Sequence, residues 1–285
     1  MSIFSLSTDQ AKSFHQNGFL VVKSVYDRNS IELIQKGIYE IIGLVMKQNG
    51  IVDRRSTFSP AAFDDDFNHM IGKNRALGSV VYDAVKQIPE FIRLLGNPLH
   101  EEIMKQLRPG AMPALAGGGY GIRIDNPGED KFKTFWHQEY PAQLRSINGL
   151  VFWSPLVRVT PELGPVQVCA GSHVEGALPV VVDSGGEKNR SGAYSLRLDK
   201  EAKYLMKYLA ASPLLEPTDL IILDFLVIHS SGYNRADRSR WSMQFRYFDM
   251  AEPTGMSHGW RGSYASGVDF TTIHPELFVK KDSGI

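Results

Sequence analysis

Residues 219–234 read DLIILDFLVIHSSGYN, an almost unbroken apolar run that ends in a lone histidine and a glycine turn. A short run of branched apolar side chains closed by Ser-Ser-Gly has the character of a buried β-strand. The segment up to Ser231 is therefore expected as a single strand with His229 at its exit. The surrounding chain has the same texture. YGIRID (120–125), TFWHQEY (134–140), SINGLVFWSPL (146–156), PVQVCAG (165–171), ALPVVV (177–182) and WSMQFRYFDM (241–250) are short runs punctuated by Gly, Pro, Asn or Asp. Short strands at such spacing predict a sandwich or barrel over about residues 111–250.

The first ~110 residues follow a helical pattern instead. STDQAKSFHQNGFLVV (7–22) opens on an N-cap candidate, Ser7 or Thr8, and stops its helix at Asn17-Gly18 before a short strand at 19–22. Ile31, Leu33, Ile34, Ile38, Ile41, Ile42 and Val45 recur at helical spacing up to Asn49-Gly50. A further helical region spans about 73–107, interrupted at Pro89 and at Asn97-Pro98. Residues 54–70 between them have loop composition. With no linker and no internal repeat, residues 1–285 are expected as one α+β, mainly β domain: a jelly roll buttressed by N-terminal helices.

Composition narrows the class. Hydrophobic residues make up 43% of the 285, enough for a large core, and 31 basic residues balance 31 acidic ones. Neither a nucleic-acid nor a membrane partner is expected from that balance. The single cysteine, Cys169, excludes an internal disulfide. The N-terminus lacks the pattern of a signal peptide and no apolar run is long enough to span a bilayer, so a cytoplasmic location is expected.

The chemistry-bearing residues sit among the expected strands. FKTFWHQEYP (132–141) holds His137 and Glu139 two apart, a spacing that on a strand turns both to one side and Gln138 to the other. With His229 from a distant strand, two imidazoles and one carboxylate can occupy one face of an octahedral iron(II) and leave the other open. Arg240 follows His229 by eleven positions, and a planar guanidinium beside a metal suits a carboxylate co-substrate.

At these residues the chain resembles the phytanoyl-CoA dioxygenase family of iron(II)/2-oxoglutarate oxygenases. The resemblance runs through FHQNGFLVVKSVYD (14–27), WHQEYP, GPVQVCAGSH (164–173) and HSSGYNRADRSRWSMQFRY (229–247), in that order. It implies a double-stranded β-helix (cupin-like jelly roll), with His137, Glu139 and His229 as metal ligands and catalytic centre, and Arg240 on the far carboxylate of 2-oxoglutarate. Iron(II) is then the cofactor, 2-oxoglutarate and dioxygen the co-substrates, and a small molecule the substrate. A second copy of the chain is an open alternative partner. Most of the family has His-x-Asp where this chain has His-x-Glu. The presence of a carboxylate ligand favours hydroxylation over halide transfer, which needs that position empty.

Each assignment has a plainer competitor. Arg240 could be an exposed cation, with Arg235 and Arg238 as rivals, unless a strand from Ser239 onward turns it inward. Ser231 shares the expected strand face of His229 and could add a hydrogen bond to the same carboxylate, or could be a turn serine. Trp153 would wall the co-substrate pocket or simply be core. Arg123 would meet a carboxylate or pair with Asp125. His173 is expected to be structural. Loops at 53–69, 183–193 and 250–266 are expected to shape the substrate pocket. Two other classes stay open: an oxygen-independent cupin-like isomerase or lyase, and a catalytically silent binding member. His-Glu-x-x-His and Cys-x-x-Cys motifs are absent.

Overall fold

The computed structural model describes residues 4–129, 132–182, 196–262 and 268–279. Ser7 caps helix α1 (Thr8–Asn17) in a reciprocal capping box with Gln10, and Gly18, at φ 72°, ends it. Strand β1 (Phe19–Val22) follows directly. Helix α2 (Arg28–Gln48) buries Ile31, Ile34, Ile38, Ile42 and Val45 along one stripe. Prolines then start α5 (Pro89–Leu95) and α6 (Pro98–Leu107), where a missing N–H costs nothing, after α3 (Phe67–Lys73) and α4 (Ala76–Val85).

Three antiparallel sheets follow, one large, one small and one of two strands. The larger runs in the order β1, β9 (Leu220–Asp224), β4 (Leu150–Pro155), β11 (Arg240–Asp249), β2 (Pro113–Leu115), with β3 (Gly121–Asp125) also paired to β11. The smaller comprises β10 (His229–Ser231), β5 (Val166–Cys169) and β8 (Ala210–Ala211), and β6 (Val180–Val182) pairs with β7 (Leu196–Leu198). Strand alternation divides the core. Phe152, Ile222, Met243 and Phe245 pack with the helices. Val151, Trp153, Ile221 and Leu223 face Val166, Val168 and Val180 of the smaller sheets. Both faces of the large sheet are covered, which is why every residue of β4 and β9 is buried. Among the described residues, no helix is long and apolar enough to cross a membrane.

Three expectations change here. The run 219–231 is two strands in different sheets. Asp224 breaks it: its carboxylate accepts from Leu226 N–H at 2.8 Å and its carbonyl from Val227 N–H at 3.1 Å, while Arg108 ion-pairs with it. The TFWHQEY segment is not a strand. His137 makes a single antiparallel bridge to His229, and Glu139 sits in helical conformation at the head of the short helix α7 (Tyr140–Gln143), which has Pro141 in its first turn. Residues 53–69 do not border the cavity described below. Phe63 and Phe67 pack against the Trp241 ring and Asp64 accepts from the Trp241 indole at 2.8 Å, so these three residues tie the segment to the core.

His100 is fully buried at the helix–sheet interface, 3.0 Å from the Tyr26 hydroxyl and ringed by Phe152, Phe245 and Tyr247. Burial pushes its pKa from 6.5 down to about 3. The unfolded chain therefore takes up a proton that the folded chain refuses. This contribution to stability is whole above pH 6.5 and is lost as pH falls from there toward 3. Chemical denaturation of the metal-free protein should show stability falling across that window, with a shallower fall in His100→Phe. An unchanged slope in the variant would remove His100 from the account.

Candidate metal centre

The bridge between His137 and His229 joins the turn before α7 to strand β10 through two backbone hydrogen bonds of 3.0 Å. It brings the imidazoles together with centroids 4.3 Å apart and planes tilted by 48°. Glu139 completes the group: its Oε2 lies 3.9 Å from His137 Nε2 and 3.8 Å from His229 Nε2. One ligand atom from each residue lies within 4.8 Å of the other two, and no other such group of histidine, cysteine or carboxylate residues occurs among the described residues. The two histidines are oriented alike. His137 Nδ1 meets the Phe135 carbonyl at 2.7 Å and His229 Nδ1 meets the Val227 carbonyl at 3.0 Å. A carbonyl only accepts, so both Nδ1 atoms carry the proton and both Nε2 lone pairs are free for a metal.

Electrostatics keep the set in its ligating state. Burial lowers the pKa of both histidines, that of His229 to about 3, with help from the neighbouring His137. Burial pushes Glu139 the other way, but Arg246 and the two imidazoles outweigh it and bring the carboxyl down to about 2. Near neutral pH the site therefore presents two neutral imidazoles and one carboxylate.

The triad lines a cavity between the sheets. Its apolar wall includes Val151, Trp153, Leu223 and Leu198, and its polar wall Arg123, Thr134, Ser231, Gln244 and Arg246. The glycine-rich turn Gly118–Gly121 forms part of the lining, as do Val180 and Leu196. No described residue of 250–266 lines it, and the expected loop at 183–193 lies outside the described residues.

Ser231 shares the strand of His229 and Trp153 stands on β4, both on the cavity wall. Arg123 also lines the cavity, holding Asp125 through Nε at 2.9 Å and donating from Nη1 to Thr134 at 2.6 Å. The expectation for Arg240 is an inward-facing clamp beside His229, with an exposed cation as the plainer competitor. Arg240 is 1% exposed, outside the cavity lining, and donates from Nη2 to Asp125 at 2.8 Å. The strand face carrying it continues through Ser242 to Gln244 and Arg246, which do line the cavity. Two of its donors, Nε and Nη1, are buried without a partner, as is the Ser242 hydroxyl. Asp125 lies between two arginines whose charges outweigh its burial and hold its carboxyl well below the usual range. His173 belongs neither to the triad nor to the cavity lining and meets the His15 carbonyl through Nε2 at 3.0 Å.

Sequence reasoning missed Arg246 and Gln143. Arg246 Nε donates to Glu139 Oε1 at 3.0 Å and Gln143 Nε2 reaches the same oxygen at 3.2 Å. The available signal was parity: Arg246 lies six positions after Arg240, on the same face of one strand.

The family model for phytanoyl-CoA dioxygenase (PhyH) matches residues 14–242. Among curated proteins none matches the chain. Solved structures of similar fold include EctD from S. alaskensis with 2-oxoglutarate and 5-hydroxyectoine, at 17% identity and TM-score 0.56 over 92% of this chain and 86% of that one. The non-haem alpha-ketoglutarate-dependent carbocyclase SnoK from nogalamycin biosynthesis is 14% identical, with TM-score 0.55 over 86% and 84%. The epimerase SnoN in complex with Fe3+, alpha-ketoglutarate and nogalamycin RO is 17% identical, with TM-score 0.52 over 87% of each chain. With antiparallel sheets, buttressing helices and a largely buried His-Glu-His group in place, the chain belongs to the phytanoyl-CoA dioxygenase (PhyH) family.

Proposed function

We propose that this protein is an iron(II)- and 2-oxoglutarate-dependent dioxygenase that hydroxylates a small molecule within one jelly-roll (double-stranded β-helix) domain. The observation that carries the reading is the triad, with both histidine Nε2 atoms and one carboxylate oxygen converging inside a walled cavity. Two imidazoles and a carboxylate are the donor set of non-haem iron(II) oxygenases, and the set fits that ion. With 2-oxoglutarate and dioxygen, iron supplies the oxidation of a substrate C–H bond to C–OH, coupled to release of succinate and carbon dioxide.

The chain's own residues have distinct tasks in this reading. The Phe135 and Val227 carbonyls fix the imidazole tautomers. Arg240 is the candidate for the far carboxylate of 2-oxoglutarate. It shares the strand face of Gln244 and Arg246 and carries two orphaned donors, and the Arg123, Arg240 and Asp125 cluster keeps one net positive charge for an incoming anion. The Ser231 hydroxyl and the Trp153 ring flank the co-substrate position, and Val151 and Leu223 exclude water. Arg123, already held by Asp125 and Thr134, braces that end of the cavity.

The test is turnover without a known substrate. Protein reconstituted with iron(II) should consume dioxygen slowly in the presence of 2-oxoglutarate and release succinate in proportion. Iron binding with no 2-oxoglutarate-dependent oxygen uptake and no succinate would assign the site to oxygen-independent metal chemistry instead. Failure to bind iron at all would leave a silent binding protein.

A further inference from the structure

The histidine-x-glutamate spelling poses a structural question that the geometry around Glu139 answers. Glu139 does not project from a strand beside His137. It sits at the head of α7, in helical conformation, and its side chain reaches back to the imidazoles. At the end of that reach its two oxygens have different surroundings. Oε2 faces the two Nε2 atoms, and its one hydrogen-bond contact is long, to Arg246 Nη2 at 3.4 Å. Oε1 is turned away and accepts from Arg246 Nε at 3.0 Å and from Gln143 Nε2 at 3.2 Å.

Both donors are themselves anchored. Arg246 donates to the Gly119 carbonyl at 3.3 Å and to Gln244 Oε1 at 3.2 Å. Gln143 is held through its own Oε1 by Arg145 Nη1 at 2.6 Å, and Arg145 donates onward to the Gly117 carbonyl at 2.7 Å. Arg246 is mostly buried and Gln143 is buried, so these contacts lie largely out of competition with water.

A carboxylate next to a divalent ion can bind through one oxygen or both. Charge-assisted hydrogen bonds on one oxygen favour the first mode, since chelation would draw that oxygen off its donors. The arithmetic of the site makes the distinction matter. Two imidazoles and one oxygen leave three positions of an octahedral ion, whereas a chelating carboxylate leaves two. A keto acid binding through two atoms together with dioxygen needs three.

We infer that Arg246, seconded by Gln143, is a positioning residue that holds Oε1 of Glu139 off the metal, so that the glutamate ligates through Oε2 alone. The inference rests on the metal-centre reading above. Within it, the extra methylene relative to aspartate has a function: it carries the carboxylate from the α7 end across to an arginine on β11. Arg246 is then an anchor for the ligand rather than a receptor for a substrate anion, because Nε and Nη2 are committed to Glu139 and Gln244.

The experiment counts open metal positions. Mn(II) is the probe, and electron-nuclear spectroscopy in isotopically labelled water reads the number of water molecules on the ion in the full-length protein. Wild type should show three, Arg246→Met two, and Arg246→Lys, which keeps one charged donor, close to three. Removing such a supporting contact should also weaken Mn(II) binding about 10–100-fold. If Arg246→Met fails to fold by circular dichroism, Gln143→Met reads the same quantity, with a smaller loss expected. Three waters in wild type, Arg246→Met and Gln143→Met alike would overturn the inference and leave the metal site standing. If wild type binds no Mn(II) or iron(II), the metal-centre reading itself fails, which is a different result.

Discussion

His229→Ala is expected to abolish metal-centred chemistry while leaving the fold in place. Anaerobic addition of iron(II) and 2-oxoglutarate to wild type should produce the weak visible charge-transfer band of the chelate, and the variant should show none. The alanine removes Nε2, one of three donors that lie within 4.8 Å of one another. It leaves the two backbone hydrogen bonds to His137, 3.0 Å each, because these use main-chain atoms. Thermal stability of the metal-free protein should therefore change little, and it could rise, since an imidazole whose pKa burial holds near 3 is unfavourable to bury at acid pH. A variant that keeps the band, or one that loses it only by unfolding, would contradict the assignment. Glu139→Asp is the milder test of the same centre, because it keeps a carboxylate but shortens its reach from α7.

Arg240→Ala is expected to raise the 2-oxoglutarate requirement about tenfold or more with iron affinity nearly unchanged, as loss of a buried charge-assisted contact is worth roughly 1.5–3 kcal/mol. Asp125 would not be stranded by the change, because Arg123 holds it through Nε and Nη2 at 2.7–2.9 Å. The two rival arginines serve as controls. Arg238 is committed to Asp64, with Nη2–Oδ1 2.6 Å, so its loss should lower stability and spare the co-substrate dependence. Arg235 has its guanidinium 4.7 Å from the Tyr233 ring centre, and its loss should spare the co-substrate dependence. If Arg235→Ala or Arg238→Ala raises the 2-oxoglutarate requirement and Arg240→Ala does not, the assignment of the clamp is wrong and the oxygenase class is untouched.

Helix ends were legible because local chemistry sets them. Ser7 with Gln10, Gly18, Pro89 and Asn97-Pro98 each act within one turn of their own position, and the elements stop where these residues stand. Strands β3, β4, β5, β6 and β11 were legible for a similar reason, since period-two patterning and flanking turn residues are local properties. Two segments were misread because a side chain acted at a distance. Asp224 ends its strand with the support of Arg108 from α6, more than a hundred residues earlier. The polar stretch 54–70 reads as a surface loop until Phe63 and Phe67 meet Trp241 from β11.

The metal centre divides along the same line. Residue types, their order and their spacing are written in the chain: two histidines and a carboxylate with the right chemistry, and an arginine eleven positions after the last of them. How they are held follows from the assembled fold. It replaced the expected strand under His137 and Glu139 with a single bridge and a helix start, and it turned both Nδ1 atoms onto backbone carbonyls. It also set Arg240 against Asp125 and aimed Arg246 at the glutamate. Those outcomes depend on strand register, here Arg240 opposite Asp125 and Arg246 opposite Val151. Register is chosen by how the two faces of the sheet bury against helices on one side and the smaller sheet on the other, and no local stretch of sequence contains that information.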